Sequence, residues 1–252
     1  MKIRLSENQT VGQFAVQYPA FRATLEQQGI DYCCGGKRTL QSAAKEAGLT
    51  LEQLESIVNQ AAGRLENQDD SGQNWSQADL EDLADHIESR HHTYLKENLP
   101  RLGKLLQDVL RAHADRHGRL LSELSDRFAE LENELVPHLA KEEQILFPYI
   151  RQIQQHRSRG QTPPPMHCGT VENPILQMEY EHDHAGQALL RMRQLTSDYR
   201  LPGDACAKFR ALYEGLQELE SDLHEHIHLE NNILFPRAIA LEKGTTDQQD
   251  LR

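Results

Sequence analysis

The sequence predicts an all-α fold, an up-down four-helix bundle preceded by a small helical domain, on three observations. Leucine outnumbers valine plus isoleucine by 35 to 17 in 252 residues, a bias toward helix formers over β-branched strand formers. From Ser76 onward apolar residues recur at steps of three and four, the period of a helix with one buried face. Only three breaks interrupt this pattern, near Gly118, across Gly160 to Pro165 (GQTPPP) and near Pro202, which leaves room for four long helices.

Taken in order, residues 1–65 read as a compact module of short helices. Thr10 opens the first, Pro19 is placed to start another, and Gly29 to stop it. The turn DYCCGGKRT follows. Thr39 and Thr50 then read as N-caps, the second in a capping box with Gln53, and Gly48 separates their helices. ENQDDSGQN is polar and without period, so 66–75 reads as a linker. The bundle spans 76–242, with helix A at about 77–116, B at about 119–150, C at about 174–199 and D at about 204–240. Asn173-Pro174 and Asp204 suit the starts of C and D. Short A–B and C–D turns make each pair an antiparallel hairpin, and 151–173 carries the chain between them. Residues 243–252 form a polar tail.

Charge narrows the function. Lys and Arg number 27 against 39 Asp and Glu, a net −12, so a contiguous basic face for phosphates is not expected and nucleic acid is set aside as a partner. No run approaches the ~20 apolar residues of a membrane span, and MKIRLSENQT lacks a signal peptide's apolar stretch; the expectation is a cytoplasmic protein with no membrane partner. Four cysteines, Cys33 and Cys34 adjacent and Cys168 and Cys206 isolated, make neither a disulfide framework nor a CxxC zinc pattern.

The chemistry lies in an internal repeat. His138-Leu-Ala-Lys-Glu142-Glu-Gln-Ile-Leu-Phe-Pro148 and His226-Ile-His-Leu-Glu230-Asn-Asn-Ile-Leu-Phe-Pro236 are both HxxxExxILFP, so the bundle reads as a duplicated hairpin. With 13 His and 24 Glu in the chain, HxxxE alone is commonplace; the shared ILFP at one offset carries the signal. The core stripe of B runs Leu124, Phe128, Leu131, Leu135, His138, Glu142, Ile145. That of D runs Phe209, Leu212, Leu216, Leu219, Leu223, His226, Glu230, Ile233. Two ionisable pairs thus stand where leucines belong, and an unpartnered charge there costs several kcal/mol. Side chains at i and i+4 project from one face, so one shared metal site satisfies both pairs.

The level along the bundle selects the remaining ligands. His182 sits on the seam of C among Ile175, Met178, Ala185, Leu189 and Met192; helix A offers His92 and His113. These two are about 31 Å apart at 1.5 Å per residue and cannot serve one centre. Folding A on B near residue 118 brings His92 beside Glu142 and leaves His113 near the turn, with its role open. His86, His91, His117, His156, His167, His184, His224 and His228 are expected mostly on solvated faces. An ExxH pattern, Glu88/His91 and Glu179/His182, is the weaker reading because His91 falls off the seam. Four imidazoles and two carboxylates suit a pair of borderline metals, iron before manganese or zinc. Two bridging glutamates and an oxo or hydroxo bridge fill about ten of the twelve positions of two octahedral irons.

The twin HxxxExxILFP motifs with His92 and His182 resemble the hemerythrin-like di-iron bundle. DYCCGGKRTL at 31–40 with its helical module resembles the N-terminal domain of the ScdA-type repair-of-iron-centres proteins. The resemblance implies a non-haem di-iron protein that restores iron–sulfur clusters damaged by nitric oxide or oxidants. Its implied ligands are His92, His138, Glu142, His182, His226 and Glu230, and its implied partners are damaged iron–sulfur proteins and NO or O2, with a homodimer left open. An O2- or NO-binding sensor is the alternative. Oxygen-carrying hemerythrins use a further His and an HxxxxD in the last helix; here Asn231 stands five after His226, which implies a more open site. Cys33 and Cys34 read either as free thiols of a buried turn or as a functional pair, exposed by Gly35-Gly36 and held toward thiolate by Lys37 and Arg38. Cys168 and Cys206 read as incidental.

Overall fold

The computed structural model describes residues 2–65, 74–166 and 169–244, without the side chains of 64 and 65. Cys168, His167, the expected linker up to residue 73 and the tail from 245 lie outside the described residues. Among those described the chain is helical, with no strand beyond two isolated bridges, Thr10 with Thr39 and Met166 with Gly169. The helices are α1 (Val11–Gln17), α2 (Arg22–Gln27), α3 (Leu40–Glu46), α4 (Leu51–Leu65), α5 (Leu80–His86), α6 (Thr93–Lys141), α7 (Phe147–Ser158), α8 (Glu172–Leu195), α9 (Ala207–Leu229) and α10 (Phe235–Lys243). Wide π turns join α5 to α6 (Ile87–His92), α6 to α7 (Glu142–Leu146) and α9 to α10 (Glu230–Leu234).

Two compact units divide the chain, Met1–Asp79 with Ile227–Arg252, and Leu80–His226. In the first, the expected caps form. Thr10 and Gln13 make a reciprocal capping box, Thr39 Oγ1 accepts from the Ser42 amide, and Thr50 and Gln53 make a second box. Each satisfies amides left without an intrahelical partner and contributes about 1 kcal/mol. Pro19 opens a single 3-10 turn, Pro19–Phe21, ahead of α2. Val11, Phe14, Leu25, Leu40, Leu54 and Val58 are buried beneath these helices.

In the second unit the long helical run of α6 folds back on itself. Gln107 Nε2 donates to Ser125 Oγ at 2.7 Å and Lys96 Nζ to Glu143 at 2.6 Å, so the two stretches lie antiparallel as the hairpin of A and B requires. The backbone break falls at His113 (φ −121°, ψ 16°), not at Gly118, and Pro137 is accommodated within the helix. The seam residues of all four stretches are buried as the periodicity requires, with two exceptions: His113 is only half-buried and Ile145 is 44% exposed. The π turn adds a residue to the winding at Ile145, so Leu146 takes the inward position instead. Helix D begins at Ala207, and Asp204 does not start it; its carboxylate pairs with His117 and Arg116.

Candidate metal centre

The three π turns coincide with the charged seam. Ile87–His92 ends on His92, Glu142–Leu146 begins on Glu142, and Glu230–Leu234 begins on Glu230. The widened turn presents adjacent residues inward, which a regular helix cannot do, and such turns concentrate at functional sites. His92, His138, Glu142, His182, His226 and Glu230 are all at most 1% exposed.

Their ligating atoms converge in two groups. His92 Nε2 lies 3.2 Å from His226 Nε2, and His182 Nε2 lies 3.1 Å from His138 Nε2. Glu142 stands between the pairs, with Oε1 3.3 Å from His138 Nε2 and Oε2 3.5 Å from His92 Nε2. Glu230, one turn beyond His226, completes both sets: His92, Glu142, His226, Glu230 and His138, Glu142, His182, Glu230 each have their donor atoms within 4.8 Å of one another. Glu142 thus turns one oxygen toward each group, the disposition of a bridging carboxylate.

Two features show that this donor set fits a pair of metal ions. Both Glu142 oxygens are buried without a hydrogen-bond partner, at a cost of several kcal/mol for an anion unless cations compensate it. Two of the four imidazoles are also already committed on their far sides. His92 Nδ1 donates to Glu143 Oε1 at 2.9 Å and His138 Nδ1 to Glu181 Oε2 at 2.8 Å. Each therefore turns a lone pair inward at Nε2, the tautomer a metal requires. Lys96 holds Glu143, and Lys141 with Gln177 holds Glu181. Partial burial raises the Glu181 carboxyl, but hydrogen bonds from His138, Lys141 and Gln177 outweigh it and bring it down to about 2.

Other expectations change. His91 is buried, not solvated: its Nδ1 lies 3.1 Å from Asp222 Oδ1. Glu88 pairs with Arg151 at 2.8 Å, so the Glu88/His91 pattern is no ligand set. His228 is fully buried, with its ring against Tyr32. His113 stays at the turn, where its Nε2 lies 3.2 Å from the exposed Cys206 Sγ, a hydrogen bond that lowers that thiol's pKa. The inward π turn was the missing signal for His91, and no feature of the sequence marks it.

Of the two readings of the cysteine turn, the geometry matches free thiols of a buried turn. Cys33 is buried and Cys34 half-buried, so Gly35 and Gly36 do not expose both sulfurs. Asp31 ties the turn by accepting from the amides of Cys33, Cys34 and Gly35 at 2.9–3.0 Å. The two sulfurs are 3.8 Å apart. The hydrogen bond with Cys34, burial and the Asp31 charge push the Cys33 thiol well up, and Arg38 is spent on Glu46. The same turn seats on the helix segment beginning at Glu230. Asn231 Nδ2 donates to the Cys33 carbonyl at 3.3 Å and Asn232 Nδ2 to the Tyr32 carbonyl at 3.0 Å. Gly12 and Gly36 leave the space for Asn232, whose Oδ1 would lie 2.1 Å from a Cβ at either position.

Comparison with known proteins agrees with this geometry. A family model described as the hemerythrin HHE cation binding domain matches residues 83–238, and the ScdA_N model, described as a domain of unknown function, matches 7–62. The chain is 38% identical over 232 residues to the iron-sulfur cluster repair protein YtfE of Dickeya chrysanthemi, covering 92% of this chain and 97% of that protein. It is 40% identical over 235 residues to the proteins of that name in Yersinia pseudotuberculosis and Yersinia pestis, with the same coverage.

Proposed function

The chain belongs to the hemerythrin-type iron–sulfur cluster repair family, and from that premise we propose that it is a non-haem di-iron protein that restores iron–sulfur clusters damaged by nitric oxide or oxidants. The observation that carries this reading is Glu142, a buried carboxylate with one oxygen toward each pair of imidazoles. The ligands are His92, His138, Glu142, His182, His226 and Glu230. When bound, two irons supply labile metal and open positions for a diatomic ligand such as NO or O2. Glu142 and Glu230 neutralise the cations, while Glu143 and Glu181 orient His92 and His138. The apolar seam around them, from Leu95 and Leu99 to Leu223 and Ile233, excludes bulk water.

Asn231 favours repair over reversible oxygen carriage. The position where carriers place a further carboxylate holds an amide, and that amide donates to the Cys33 carbonyl, so it would not serve as a further ligand to a bound iron. Cys33 and Cys34 serve the same task in our reading, with the half-buried Cys34 as the sulfur that meets a damaged client. The organisation follows as a cysteine module over 1–65 and a di-iron bundle over 76–242. Among the described residues no helix is long and apolar enough to cross a membrane. With a charge of −12, protein clients in the cytoplasm are its partners rather than nucleic acid.

The test is a repair assay on an NO-damaged iron–sulfur enzyme with Glu142→Leu and Glu230→Leu. Each variant is expected to lose repair while keeping its helical content by circular dichroism. Full repair by both variants refutes the metal role.

A further inference from the structure

Beside the centre lies a second polar cluster within the unit Leu80–His226. His91 Nε2, Tyr94 Oη and Asp222 Oδ2 are buried and have no hydrogen-bond partner. The His91 and Asp222 side chains are only 5% and 9% exposed. Leaving such buried groups unsatisfied is costly, so packing alone gives no reason to place them together. Asp222 is four residues before His226 and shares its helix face, about 6 Å away along the axis. The π turn that ends on His92 also turns His91 inward.

Together these residues continue the centre outward. The His91 ring lies parallel to that of His226 (7°) at 5.8 Å between centroids, and the half-exposed His86 ring lies 5.7 Å from His91. A file of imidazoles, His86, His91, His226, thus runs from the surface to the metal ligands. Acidic groups line it: Glu225 acts on His86, and Asp222 and Glu218 on Tyr94, against the cations Arg90 and Arg101. An uncharged diatomic molecule needs no such lining. A divalent cation does, because leaving water for an apolar seam is costly unless donors replace its hydration shell, and imidazole nitrogen with carboxylate oxygen is the donor chemistry of borderline metals.

We propose that His91, Asp222 and Tyr94 form a transit site for divalent iron, with His86 and Glu225 at its mouth, through which metal moves to and from the buried centre. The inference rests on the di-iron reading and adds the route. His91 and Asp222 hold the cation one helical turn short of His226, and Tyr94 supplies a further oxygen.

The experiment follows ferrous iron alone, added anaerobically to the metal-free full-length chain. Loading and subsequent loss to a chelator are timed in the wild type, in the near-isosteric Asp222→Asn and Tyr94→Phe, and in Asp204→Asn as a remote acidic control. Asp222→Asn is expected to slow both loading and loss about tenfold, the low end of what charge lining contributes to cation on-rates, with the final content still two irons per chain. Tyr94→Phe is expected to slow them less, and Asp204→Asn not at all. Rates within twofold of the wild type in both variants overturn the route, as does a fall in final iron content, which would make Asp222 a support of the centre. A wild type that takes up no iron fails the di-iron reading itself, a result separable from normal loading in the variants.

Discussion

Glu142 is the residue on which the chemistry turns, and its two roles pull stability in opposite directions. Without metal it is a carboxylate at 0% exposure whose oxygens lack hydrogen-bond donors. Replacing a buried charge of this kind by an apolar side chain of similar volume is commonly stabilising. Metal-free Glu142→Leu is therefore expected to be more stable than the metal-free wild type by about 1–3 kcal/mol in urea unfolding. In the presence of ferrous iron the order reverses, because only the wild type gains binding energy. A variant destabilised in both states would mean that Glu142 is held by hydrogen bonds rather than awaiting metal. At this scale the sequence was informative: a charged pair in a leucine stripe is visible without coordinates, and His92 was separable from His113 by counting residues along the helix. His91 was not separable from solvated histidines, because its burial depends on local winding that no periodicity encodes.

Among the elements, the π turns and the docked cysteine turn decide what the motifs can do. Steps of three and four found the seams of all four helices, and threonine caps were legible because their hydrogen bonds are local. Ile145 was misplaced because the period was continued through a turn that contains one more residue than an α-helix. The seating of DYCCGGKRT was invisible for a different reason: Gly36 and Asn232 are nearly 200 residues apart, and no local rule links them. Their contact gives a sharp test. Gly36→Ala places a Cβ against Asn232 Oδ1, and overpacking of this kind costs about 1–3 kcal/mol. Asn232→Ala loses its bond to the Tyr32 carbonyl and costs about 1 kcal/mol. The double variant is expected to be more stable than the sum of the two predicts by about 1 kcal/mol or more, measured by urea unfolding; strict additivity would show that the two residues do not meet.

For the molecule as a whole, the duplicated hairpin explains why one charged motif occurs twice. Each hairpin brings a His-Glu pair into the buried seam, and cations shared between the pairs would offset the cost of burying both. The opposite end of the bundle is held differently. Asp204 accepts hydrogen bonds from His117 and then Arg116, which lower its carboxyl from 3.8 to about 2. A carboxyl lowered on folding stabilises the fold above its ordinary value and loses that contribution as pH falls toward 2. Asp204→Asn is thus expected to melt below the wild type at about pH 5, with the difference closing as pH falls through that window; a constant difference would place its effect elsewhere. A two-metal centre built on Glu142 has a decisive readout in its iron content. Wild-type protein loaded with ferrous iron and freed of excess is expected to hold two irons per chain, and Glu142→Leu to hold fewer than one. Wild-type protein without iron, or two irons retained in Glu142→Leu, would contradict it.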